Sequence, residues 1–121
     1  MKAAVVLSCL ALAVASARVG SLIQQAPPKT ATISNPMDGD IEAWRAGAKL
    51  YAQECAPCHG QRRSGGRKAP PLDTPDVQNA APGALFWVLR NGSLYRGMPS
   101  FAHLPEPQRW QIVTYLLAPP K

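Results

Sequence analysis

Cysteine is scarce in this chain, with only Cys9, Cys55 and Cys58 among 121 residues. A disulfide network is therefore excluded as the means of holding a small fold together. Strand signals are missing, and no segment repeats another. That leaves no βαβ setting for a thioredoxin-like dithiol. No apolar run reaches the roughly 20 residues that span a bilayer. Acidic side chains are few, seven against thirteen basic ones. A balance this basic suits acidic partners or anionic headgroups, and affects association more than fold.

The longest apolar stretch, residues 3–17 (AAVVLSCLALAVASA), follows a lone Lys2 and ends in the small residues Ala15, Ser16 and Ala17. This is the pattern of an export signal cleaved after a small-x-small site. Residues 1–17 are expected to be a signal peptide, and the mature protein to be periplasmic. Cleavage removes Cys9 and leaves Cys55 and Cys58 as the only thiols. Nucleic acid is not expected as a partner in that compartment.

Residues 18–39 have no sustained period and carry Pro27, Pro28 and Pro36. They are expected to form a flexible linker. A domain is expected over residues 40–118, with 119–121 as a tail. Asp40 is a candidate N-cap, and Ile41, Trp44, Ala48 and Tyr51 recur at helical spacing into Cys55. A second helix is expected over 82–91, with Pro82 at its start and Gly92 past its end. The last helix is expected over about 106–117, with Trp110, Val113 and Leu117 on one face. The fold class is all-α, three to four helices with long loops. So short a domain is marginal without something to fill its centre.

The stretch from Glu54 to Gly60, ECAPCHG, supplies the filler. Zinc would need Cys55, Cys58, His59 and His103 together, and His59 adjoins Cys58 too closely to share a tetrahedral metal with both thiolates. Cys-x-x-Cys-His is instead the attachment signature of a c-type haem. Two cysteines three apart on a helical turn point the same way, so each sulfur can form a thioether with one vinyl group. His59 then faces the iron, and its other ring nitrogen needs a carbonyl or carboxylate to orient it.

The sixth iron ligand separates electron transfer from chemistry on a small molecule. Outside the signal, methionine stands only at 37 and 98. Met37 falls in the linker. Met98 lies between Gly97 and Pro99 in a loop that permits close approach, and is the expected ligand. His103 is the competitor, although a surface histidine is the plainer reading of it. A His and Met pair closes both axial positions and favours reduced iron. The chain is then expected to be an electron carrier and not an enzyme.

With these residues in place, the chain resembles the class I c-type cytochromes through GAKLYAQECAPCHG, APPL, LRNG, GMPSF and RWQIVTYL. The resemblance implies a small cytochrome c fold around one covalently attached haem c. It implies that Gly47 and Tyr51 of the first helix cross Tyr115 and Leu116 of the last, and that Pro70 offers its carbonyl to His59. Met98 matches the distal ligand. Propionate candidates are Arg67, Trp87, Tyr95 and Arg96. Pro105 departs from the serine or threonine cap common in the family. The implied partners are redox proteins, met through the basic loop of Arg62, Arg63, Arg67 and Lys68 or through the exposed haem edge. The APPL and GMPSF segments resemble domains serving periplasmic dehydrogenases or terminal oxidases.

Overall fold

The computed structural model describes residues 21–117. The expected signal peptide, the last residue of the expected domain and the tail lie outside the described residues. Three helices of ten residues or more carry the fold: α2 (Ile41–Glu54), α5 (Pro82–Asn91) and α6 (Glu106–Leu116). Three single-turn helices accompany them, α1 (Ser21–Gln24), α3 (Ala56–His59) and α4 (Pro75–Gln78). No strand occurs among the described residues, only an isolated bridge between Ser93 and Met98.

Local chemistry sets the helix ends. Asp40 caps α2, its side-chain oxygen accepting from the backbone N–H of Glu42 at 2.9 Å and Ala43 at 3.1 Å, which satisfies two otherwise orphaned donors. Pro82 opens α5 and Gly92 closes it at φ 59°. Pro105 and Pro107 start α6 without any side-chain cap. The missing N–H of Pro107 falls where a helix has no partner for it anyway.

The frame of the molecule is the crossing of α2 and α6. At Gly47 the two backbones approach so closely that an added Cβ would sit 1.9 Å from the carbonyl oxygen of Gln111. Tyr115 then fits between Trp44 and Tyr51, at ring distances of 5.5 and 5.1 Å. Beneath it Tyr51, Ile112 and Val113 are the most fully buried large side chains. Burial of Ile112 and Val113 contributes about 1.5–3 kcal/mol each. Phe86 of α5 stacks on Trp110 of α6 at 4.1 Å and nearly parallel, and the Arg109 guanidinium lies over the Phe86 ring at 4.7 Å.

The segment expected to be a flexible linker is different. Its described part, residues 21–39, folds into α1 and a 3-10 turn, Pro28–Thr32, both packed on α5. Gly83 makes this possible, since a Cβ there would lie 2.1 Å from the carbonyl oxygen of Thr30 and 2.8 Å from Ile33. Farther along, buried Asn35 donates through Nδ2 to Thr114 Oγ1 at 2.9 Å. The ordering comes from tertiary contacts, which is why no local period announced it.

Candidate functional site

The turn from α2 into α3 places the attachment signature. Cys55 closes α2 by donating its N–H to Tyr51 at 2.9 Å, and its own carbonyl accepts from Cys58 at 3.1 Å and His59 at 2.9 Å. The helical turn sets both cysteines against one cavity, Cys55 buried and Cys58 exposed, with neither sulfur in a disulfide. Burial, then the neighbouring Glu54 and Cys58, pushes the Cys55 thiol from 9.0 up to about 12. Such a thiol stays protonated at neutral pH while nothing is bound to it. Among the described residues, no cluster of three or more His, Cys, Asp or Glu is arranged to hold a metal ion.

Gly60 ends α3 at φ 85°, and the following loop folds back on it. The N–H of Gly65 donates to the His59 carbonyl at 2.8 Å, and that of Leu72 to Arg63 at 2.8 Å. The fold-back brings the Pro70 carbonyl to His59 Nδ1, 2.8 Å away. With Nδ1 held as a donor, Nε2 is the nitrogen left for a metal. Tyr51 fixes the same corner, its hydroxyl donating to the Gly60 carbonyl at 2.7 Å. Burial pushes the Tyr51 phenol up to about 12, with the Cys55 and Tyr115 neighbours adding to the shift.

The loop after α5 supplies Met98. Ser93 and Met98 exchange two backbone hydrogen bonds, of 2.8 and 2.9 Å, and close a hairpin whose tip is a 3-10 turn, Leu94–Arg96. Gly97 returns the chain in the left-handed region at φ 78°. The Phe101 N–H donates to the Leu89 carbonyl at 2.8 Å, tying the loop to α5. Gly92, expected only as the helix stop, and Ser93, unmarked by sequence reasoning, do the local work. A Cβ on Gly92 would fall 2.6 Å from the Pro99 backbone.

These pieces enclose a cavity of about 340 Å³, within the range of ligand sites. Cys55, Cys58, His59 and Met98 all line it, among apolar side chains such as Leu72, Leu85, Val88 and Phe101. The donor set fits a haem: two sulfurs near one imidazole, that imidazole held from behind, and a thioether sulfur on the same cavity. His103 is exposed and lies outside the lining.

Several sequence expectations change. Of the propionate candidates, only Arg96 lines the cavity, and Tyr95 is 99% exposed. Arg63 is not a free docking residue. It sits at φ 61° with its guanidinium 5.0 Å over the Tyr115 ring, and donates to the carbonyls of Tyr115 and Leu116 at 3.3 and 3.4 Å. Arg62, Arg67 and Lys68 are exposed, and Lys68 reaches the cavity. Leu22 and Ile23 of α1 also line it, and no sequence signal marked them.

Comparison with known proteins agrees with this geometry. Residues 42–116 match the family described as cytochrome c oxidase, cbb3-type, subunit III. Over 99 residues, 78% of the chain, the sequence is 35% identical to the quinohemoprotein alcohol dehydrogenase ADH-IIG of Pseudomonas putida, and spans 13% of that protein. The structure is similar to cytochrome cL of the marine methylotroph Methylophaga aminisulfidivorans, with a TM-score of 0.59 and 26% identity. That similarity covers 69% of this chain and 57% of the other.

Proposed function

This chain belongs to the cbb3-type cytochrome c oxidase subunit III family of haem domains, within the monohaem class I c-type cytochromes, and from that we propose an electron carrier of the periplasm with His59 and Met98 as axial ligands. Covalently attached haem c and an electron-transfer role follow from the family. One observation carries the proposal: His59, held through Nδ1 by Pro70, shares an apolar cavity with Met98 and the two thiols.

Bound there, haem c supplies one-electron exchange between ferric and ferrous iron. The chain's residues determine how. Cys55 and Cys58 hold the group by thioethers, so it does not dissociate. The Pro70 carbonyl orients the His59 ring and raises its basicity. Met98, on a hairpin fastened at Ser93, would supply a thioether sulfur to the iron and so compete with oxygen or peroxide for it. Leu85, Val88 and Phe101 exclude water, which limits reorganisation when the charge changes.

The chain acts either as a free carrier or as the electron-transfer subunit of a dehydrogenase or oxidase complex. The similarity to a quinohemoprotein alcohol dehydrogenase supports partners among dehydrogenases. Docking uses Arg62, Arg67 and Lys68, with exposed Leu94 and Tyr95 on the Met98 hairpin as the apolar contact. The test is a pyridine haemochrome assay on purified holoprotein, followed by a reductive titration. One c-type haem and one electron per chain are expected. A colourless protein, or a second electron per chain, would refute the reading.

A further inference from the structure

The family match begins at residue 42, yet the cavity has a wall that comes from before it. Leu22 and Ile23 both line the cavity, on the single turn α1 that packs against α5. The rest of the segment is built to hold that turn in place. The Thr30 carbonyl and Ile33 rest on Gly83, where only a glycine leaves space. Thr30 is buried, and its hydroxyl donates to the Pro27 carbonyl at 2.6 Å. The far end is fastened by the buried bond from Asn35 to Thr114, which in turn donates to Trp110 at 2.8 Å. The Asn35 side-chain oxygen accepts from the Met37 N–H at 2.9 Å, so both ends of its amide are used.

We propose that residues 21–35 form a strap that is part of the haem site, with Leu22 and Ile23 as direct contacts of the haem that keep water from one of its sides. The inference rests on the family's haem and deepens the reading above. Ferric iron bears one more positive charge than ferrous iron, and an apolar wall penalises the more charged form. The strap therefore raises the reduction potential. It also hinders an outside ligand that competes for the iron, because such a ligand must enter past packed side chains.

Two variants of the holoprotein test this, with imidazole as the added ligand. Leu22→Ser combined with Ile23→Ser is expected to lower the midpoint potential and to speed imidazole binding to the ferric form several-fold. Asn35→Ala leaves the cavity lining untouched but releases the strap's far tether. It is expected to raise amide exchange across residues 21–35 and to speed imidazole binding in the same direction. A merely structural strap would lower the melting temperature in both variants without moving the potential or the imidazole rate, and that result overturns the proposal. If the double variant does not accumulate as holoprotein, Asn35→Ala decides on the same readouts. A parent protein that already binds carbon monoxide when reduced would refute Met98 as ligand, while the difference in potential between parent and variant would still report on the strap.

Discussion

In the proposed site a single side chain, Met98, would separate a closed iron from an open one. Met98→Ala is expected to give a reduced protein that binds carbon monoxide and has a lower potential than the parent. An unchanged spectrum would transfer the ligand role to His103, which the structure leaves exposed and away from the cavity. Tyr51 gives a prediction in pH. Its folded-state pKa, about 12, lies above the ordinary 10.0, so between these values the unfolded chain loses a proton that the folded one keeps. Stability from this group is complete below pH 10 and declines as pH rises towards 12. Tyr51→Phe should cost about 1 kcal/mol at pH 8 through the lost bond to Gly60, and should lack the decline. Guanidinium unfolding of both proteins at pH 8 and pH 11 reads the difference.

Among the elements, the crossing of α2 and α6 is the least tolerant. Gly47→Ala places a methyl group against the backbone of Gln111, which no rotamer change relieves. A loss of about 3 kcal/mol or more is expected, at the upper end of overpacking costs, measured as a fall in the denaturation midpoint. The helices themselves were legible because their signals are local: the Asp40 cap, the 3.6-residue period through Tyr51, and Pro82 with Gly92 around α5. The strap was not legible. Its prolines look like those of any linker, and what orders it is a glycine and a threonine far along the chain, Gly83 and Thr114. Arg63 misled for a related reason, because a run of basic residues does not disclose which one will turn inward over Tyr115.

For the whole molecule the surplus of basic over acidic side chains and the exposed Arg62, Arg67 and Lys68 set how partners arrive. Oxidation of the reduced protein by ferricyanide, a small anionic acceptor, should slow several-fold as ionic strength rises from about 0.01 to 0.15 M, where the screening length falls from about 30 to 8 Å. Lys68→Glu should slow it further at low salt and flatten the dependence. The residues that meet at the cavity were legible across the whole molecule because Cys55, Cys58 and His59 form one motif and few methionines compete with Met98. The cavity wall from α1 was not, since two apolar residues in an aperiodic segment carry no mark of what they will face. The central claim, that His59 and Met98 close both axial positions of one haem, is tested most directly by exposing the reduced, untreated protein to carbon monoxide at neutral pH. A spectrum that does not change is predicted, and ready formation of a carbon monoxide complex would contradict it.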